Sequence, residues 1–504
     1  MMNFMEKLHT TLMDRKKVTE NGALGYETSK SALVDLNFAA ASLRNAPEDK
    51  IIRKFILAFT EDRVLAMKWL FFLRDARGGL GERRSFRVII RYLAAAQTVM
   101  VEALVGLMAE YGRFDDLLVL LDTPVENKVL SYLALQLKED EVNREKGNPI
   151  SLCAKWMPGN NASSEATRKK AIKLQKAMEL TSRQYRKLLA GLRSYLKVTE
   201  VYMSANRWEE IDYSAVASKA NLLYRRAFIN HDRERREAFL AAVERGETVI
   251  HAEVLMPHDI VTRYTVREGW RMQLNPPDTA LETLWKNLPD TVDGAANVLC
   301  VVDGSGSMLF PVGNTSVTAL HVANALGIYF AERMQGAYRN KFITFSKSPR
   351  YVDFARCKSL REKLELAFSH NEVSNTNIEA TFELILKTAV DHHLDQSELP
   401  QAVLIISDME FDTATHGLNR NTLFDTISAR FTRYGYRLPR LIFWNVNSRM
   451  GVIPVQENEL GVALVSGFSA NICKMVLSGE LSPYKVLVET LNSPRYEVIE
   501  KYVS

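Results

Sequence analysis

Through the first 290 residues apolar side chains recur at intervals of three and four, and beyond Asn297 they gather into short continuous runs. The first pattern belongs to helices that bury one stripe, the second to strands buried on both faces. Helical spacing is carried by KSALVDLNFAAASLRN, EDKIIRKFILAFTED, EDRVLAMKWLFFLRDAR, ERRSFRVIIRYLAAAQ, VMVEALVGLMAEYG and ENKVLSYLALQLKEDEVNREKG. The joints are short: RNAPEDK puts a proline just inside a new helix, RGGLGE pairs glycines, and DTPVEN offers Asp122 or Thr123 as an N-cap. After a polar break at Lys155–Lys169 the periodicity resumes, with Thr181–Ser182 able to cap a helix and Gly246 where a C-terminal glycine belongs. Helices joined by such loops are antiparallel neighbours, so residues 1–290 are expected to form a degenerate HEAT-like α-solenoid of helical pairs.

Over residues 291–504 the apolar runs NVLCVVD, KFITF, QAVLIISD, RLIFWNV and VALVSG alternate with helical stretches, ANICKMVLSG being the last of them. This grammar predicts a doubly wound α/β domain whose mostly parallel sheet binds ligands at the carboxyl ends of its strands. Two of those ends stand out. NVLCVVDGSGSM runs straight from a buried strand into Asp303, with Ser305 and Ser307 at two-residue steps. QAVLIISDMEFD ends in Ser407 and Asp408, with Glu410 and Asp412 beyond, and NEVSNTNIEATF sets Thr376 at the mouth of a helix. Oxygen ligands from three loops suit a hard divalent cation, Mg²⁺ first and Mn²⁺ or Ca²⁺ as alternatives. A reading in which the serines only cap a helix leaves Thr376 and Asp408 unexplained. Phosphoryl chemistry lacks an identifiable general base or P-loop lysine, and GSGSM misses the G-x-S-x-G elbow of hydrolases.

Composition adds limits. At 504 residues the chain is long for one core, and 47% hydrophobic with 25% charged residues is ordinary for a soluble globular protein. No run of eighteen uncharged apolar residues suggests a membrane span, and MMNFMEKLHTTLMDRKK lacks the apolar core of a secretory signal. Cys153, Cys300, Cys357 and Cys473 are scattered, which argues for reduced thiols, a cytoplasmic location and no structural zinc. Charge is uneven: Lys155 to Arg245 holds 19 Lys/Arg against 10 Asp/Glu, while the whole chain is only +5. Arg168, Lys169, Lys170, Lys173, Lys176, Arg183, Arg186 and Lys187 are the clustered candidates for phosphate contact. In RDARGGLGERR the arginines could approach a phosphate, but a tight turn with arginines paired to Asp75 and Glu82 is the preferred reading. Trp208 and Tyr213 could stack on bases, yet core packing is preferred. His231, His251 and His258 read as structural or surface residues, and Asp115 and Asp116 as helix-start residues.

DGSGSM, Thr376 and Asp408 together resemble the D-x-S-x-S…T…D pattern of the metal-ion-dependent adhesion site of von Willebrand factor A domains. Two positions depart from it: Met409 stands where that family usually has glycine, and SN replaces a glycine-rich loop before the threonine. A helical array followed by an A domain resembles the Ro (TROVE-type) ribonucleoprotein architecture. The blocks TENGALGYETSKSALVDL, LFFLRDARGGLGERRSFR, YGRFDDLL, AKWMP, RWEEIDYSAVASKA, RRAFINHD, MPHDIV, DGSGSM and SDMEFD are similar to an uncharacterised Ro-like family, with a domain of unknown function over nearly the whole chain. The resemblance implies a non-enzymatic scaffold that binds small structured RNA and carries a divalent-cation docking site at Asp303, Ser305, Ser307, Thr376 and Asp408. The alternative is an adaptor whose cation captures an acidic residue of a protein partner; a metal-dependent phosphoesterase ranks third.

Overall fold

The computed structural model describes residues 16–503 apart from 269–270, 293–296, 313–314, 346–347, 372–376, 413–422, 455–461 and 468–481. Thr376 and the stretch ANICKMVLSG therefore lie outside the described residues. A largely helical region is followed by a six-stranded, mostly parallel sheet. The chain divides into two compact units, one of residues 1–66 with 255–493 and one of residues 67–254 with 494–504. Residues 1–66 and 255–290, which the periodicity assigns to the helical half, thus belong to the unit of the sheet.

The sheet unit opens with an antiparallel hairpin, β1 (Lys16–Val18) and β2 (Leu24–Tyr26), and has a second one, β3 (Thr265–Glu268) and β4 (Arg271–Leu274). The main sheet consists of β5 (Val298–Asp303), β6 (Lys341–Phe345), β7 (Arg350–Asp353), β8 (Ala402–Ser407), β9 (Arg440–Asn445) and β10 (Val462–Ser466). Its order is β10-β9-β8-β5-β6-β7, and only the edge strand β7 runs antiparallel. Every residue of β8 and β10 is buried. Both faces are thus covered, which is why these strands show no apolar/polar alternation. The strand order reverses between β5 and β8, the topological switch point where such sheets bind ligands.

Helix Ala32–Phe38 packs on β10 and on helix Pro483–Leu491. The Asn445 side-chain amide donates to the Phe38 carbonyl at 2.8 Å, and the Ala41 N–H donates to the Ser466 hydroxyl at 2.9 Å. A 3.6-residue period tells that this helix buries a face, not what covers it.

In the helical unit, helices Glu165–Ala177 and Ser182–Tyr195 both pack on helix Glu126–Glu145. Phe71 meets Phe86 and Tyr111 edge-on, and Tyr111 stacks on Tyr496 from the C-terminal segment. Thr181 caps its helix reciprocally with Gln184, and Gly246 takes the left-handed conformation that ends helix Arg233–Glu244. DTPVEN differs from its reading. Val125 precedes the first helical residue, and the Glu126 side chain folds back to accept the Asp122 N–H, so neither Asp122 nor Thr123 is the cap. In RGGLGE, a Cβ on Gly79 would stand 2.0 Å from the Phe72 carbonyl oxygen, so only glycine fits that turn. Trp208 and Tyr213 lie in a core with Ile211, Val216, Ala220 and Phe228, and His231 stacks on Trp208. Among the described residues no helix is long and apolar enough to cross a membrane.

Candidate metal centre at the sheet switch point

Val302 of β5 pairs with Ile406 of β8, so the next residues, Asp303 and Ser407, emerge side by side from parallel neighbours. Asp303 is fully buried. Its Oδ1 accepts the Ser305 N–H at 2.9 Å and its Oδ2 accepts the Ser407 hydroxyl at 2.6 Å. The Ser305 and Ser307 hydroxyls lie 3.1 Å apart. Asp408 is equally buried; its Oδ1 accepts the Glu410 N–H at 3.3 Å, while Oδ2 has no hydrogen-bond partner. The Arg449 guanidinium stands 3.6 Å from that oxygen. Four of the five residues picked from the sequence therefore converge, and the fifth, Thr376, is outside the described residues.

Both carboxyls are held well above the usual carboxylate range. Burial is the main cause for Asp303, with Asp412 adding to it against the hydrogen bonds from Ser305 and Ser407. For Asp408 burial again comes first, then the charge of Asp303, which outweigh Ser307 and Arg449. Two buried carboxyls, one of them with an oxygen that accepts no hydrogen bond, form a place where a cation relieves a cost. Among the described residues no group of three or more His, Cys, Asp or Glu could hold a metal. A cation here would rest on Asp303 and Asp408 with the Ser305 and Ser307 hydroxyls and water, a donor set that fits Mg²⁺.

Glycine at 304 is required by its neighbours, since a Cβ would stand 2.7 Å from Asn371 Oδ1 and 2.8 Å from Thr344 Oγ1. Met409, at the position where the resembled pattern has glycine, is buried with φ 63°, a left-handed conformation that glycine adopts without strain. Glu410 is a clamp and not an open ligand: Oε1 accepts the N–H groups of Arg449 and Met450, both at 2.9 Å, and Oε2 accepts that of Glu20 at 2.9 Å. Arg449 also pairs with Glu20. Ser407 was visible as a strand-end residue, but no motif marks Arg449; its only signal is its place just beyond β9. A cleft of about 650 Å³ reaches the rim of the site, lined in part by Leu274, Leu309, Arg361, Phe368 and Asn371.

The eight basic candidates lie on helices Glu165–Ala177 and Ser182–Tyr195. Arg168 donates to the carbonyls of Ala162 and Ser163, and Lys169 pairs with Glu165. Lys173 pairs with Asp122 and Glu126, acids outside the basic segment. Arg186 donates to the Ser182 carbonyl. Lys176, Arg183, Arg186 and Lys187 are exposed, and Lys170 is half-buried. For Asp75 the partner differs from the one expected in RDARGGLGERR. Asp75 receives Arg495 and the Arg77 N–H, whereas Arg74 bonds Asp116. Asp115 and Asp116 do open a short 3-10 helix, and Asp116 accepts the Arg113 N–H at its start.

Family models match two adjacent stretches rather than one long one: a domain of unknown function, DUF2828, over residues 159–296, and another, DUF7788, over residues 297–493. The uncharacterized protein L728 of Acanthamoeba polyphaga mimivirus is 30% identical over 514 aligned residues, covering 94% of this chain and 86% of its own length. The chain belongs to the family of that viral protein. The junction of the two matched domains, at 296–297, falls directly before β5, so the Asp303 and Asp408 strand ends both lie in the second.

Proposed function

We propose that this protein is a non-enzymatic, Ro-like RNA-binding scaffold whose sheet unit is a von Willebrand factor A-type domain docking partners through a divalent cation, Mg²⁺ before Mn²⁺ or Ca²⁺. In this reading the helical residues form HEAT-like pairs of the TROVE type. The observation that carries the docking role is the pair of buried carboxylates at the switch point, with Asp408 Oδ2 lacking a hydrogen-bond partner. Bound there, a cation would supply an open coordination position for an outside oxygen. Asp303 is oriented for this by Ser305 and Ser407, and Asp408 by the Glu410 N–H. The excess of positive charge between Lys155 and Arg245 supports RNA as the second ligand.

The cleft beside the site favours a second reading, in which an acidic protein segment lies along Leu274, Leu309 and Phe368 and reaches the cation. Equilibrium binding of a small hairpin RNA to the full chain across a salt series separates the two. RNA binding whose logarithm falls linearly and steeply with the logarithm of salt is expected. Absence of RNA binding at low salt would overturn the RNA reading and leave the adaptor.

A further inference from the structure

The helical unit holds a charge cluster outside the site above. Asp115 and Asp116, at the start of the 3-10 helix Phe114–Val119, gather three guanidinium groups. Arg74 donates to Asp116 at 2.7 Å, Arg87 to Asp116 at 2.6 Å, and Arg113 to both oxygens of Asp115 at 2.8 and 2.6 Å. Arg87 also lies 2.8 Å from Asp115. The Arg113 guanidinium stacks 3.9 Å from the centre of the half-buried Trp156 ring, which fixes its plane. Arg83 and Lys170 add positive charge near Asp115 without pairing to it, and Arg91 adds more beside Lys170. The acids on the Lys170 side are already engaged, since Lys173 takes both Asp122 and Glu126.

The local account does not balance: two aspartates face Arg74, Arg83, Arg87, Arg113 and Lys170 in a partly buried setting. Two groups feel this like charge on top of their burial. Arg83 is held below the usual guanidinium range by burial and then by Arg113 and Arg87, and Lys170 below the usual amine range by burial and then by Arg87. Uncompensated like charge in a partly desolvated place is relieved by an anion. Arginine forks preoriented by carboxylates are suited to a tetrahedral oxyanion, which they can grip through two parallel N–H groups.

We propose that Arg83, Arg87, Arg113 and Lys170 form a phosphate-binding site, oriented by Asp115, Asp116 and Trp156, that seats a phosphate of an RNA strand. The source of the phosphate rests on the RNA reading; the oxyanion chemistry does not. Arg87 and Arg113 supply the fixed donors, and Arg83 and Lys170 close on the ligand.

The test uses the full chain and the double variant Arg83→Glu/Lys170→Glu, two residues that hold no ion pair with the aspartates. A second variant, Lys128→Glu/Lys138→Glu, reverses as much charge at exposed positions of helix Glu126–Glu145, outside the eight basic candidates. Inorganic pyrophosphate, added at constant ionic strength against chloride, is expected to raise the thermal midpoint of the wild type and of the second variant but not of the first. A short single-stranded RNA is expected to bind the first variant about tenfold more weakly, with a salt slope shallower by about 1.4, as for two lost phosphate contacts. Pyrophosphate that protects wild type and first variant alike, or neither, overturns the site. RNA bound with unchanged affinity and slope by the first variant also overturns it, while leaving the RNA reading standing. Pyrophosphate protection lost in the first variant, in a protein that binds no RNA, supports the oxyanion site and ends the RNA source.

Discussion

In the helical unit Asp75 is fully buried and receives the Arg495 guanidinium at 2.8 Å, the Arg77 N–H at 3.0 Å and the Tyr496 hydroxyl at 2.9 Å. In the sheet unit Asp303 and Asp408 are just as buried, but they meet hydroxyls and backbone N–H groups, and the one guanidinium beside them, Arg449, stands 3.6 Å from Asp408 and outside hydrogen-bond reach. Burial pushes all three carboxyls up. For Asp75 the hydrogen bond and charge of Arg495, with Arg77 and Tyr496, reverse that push and hold it below its ordinary range. For the pair at the switch point nothing of comparable strength intervenes, and both stay raised. Burial alone therefore does not decide which way a carboxyl is shifted; the counter-charge does.

The largest expected effect comes from breaking the compensated acid. Arg495→Ala leaves Asp75 buried with only neutral partners and is expected to cost about 3 kcal/mol, read as a lowered thermal midpoint. The cation response of the sheet unit should be untouched. A midpoint within experimental error of wild type would mean that Asp75 is not held by its arginine, and the contrast would fail.

A smaller, opposite pair of effects is expected at the switch point. Asp303→Ala removes the acceptor for Ser305 N–H and the Ser407 hydroxyl and should cost about 1–3 kcal/mol. Asp408→Asn removes the like charge while keeping an acceptor for the Glu410 N–H, so in metal-free buffer its midpoint should stay level or rise by about 1 kcal/mol equivalent. Thermal denaturation in chelator distinguishes them; Asp408→Asn being the more damaging of the two would show that Asp408 is structural.

The pH dependences differ in sign. Asp75, depressed in the fold, contributes stability that is present above the unfolded carboxylate range near about pH 4 and is lost as pH falls through its folded value. Asp303 and Asp408, raised in the fold, contribute stability that is present below about pH 4 and is lost as pH rises through their folded values. In chelator, hydrogen exchange corrected for intrinsic rates should therefore show the sheet unit loosening from about pH 5 to about pH 8 while the helical unit does not. Loosening of the helical unit alone over that interval would invert the comparison.

The sequence carried the parts of this picture that are local. Apolar spacing marked the helices, continuous apolar runs marked β5, β8, β9 and β10, and the carboxylates at the ends of β5 and β8 were legible because parallel strands put their carboxyl ends together. What depends on remote partners was not legible. Asp75 and Arg495 are 420 residues apart, and the flanking arginines looked like nearer partners. Helix Ala32–Phe38 shows an apolar stripe in sequence, but only the fold puts β10 against it. Arg449 belongs to no motif, and it matters only because β9 delivers the chain beside Asp408.

The central claim is that Asp303 and Asp408 form one cation site at the switch point. Calorimetric titration of the chelator-stripped full chain with Mg²⁺, near neutral pH in two buffers of different ionisation heat, tests it most directly. The account predicts saturable binding that releases protons, because metal displaces them from carboxyls whose affinity for protons is raised, and that disappears in Asp408→Asn. Binding that persists unchanged in Asp408→Asn, or no binding by the wild type, would contradict it.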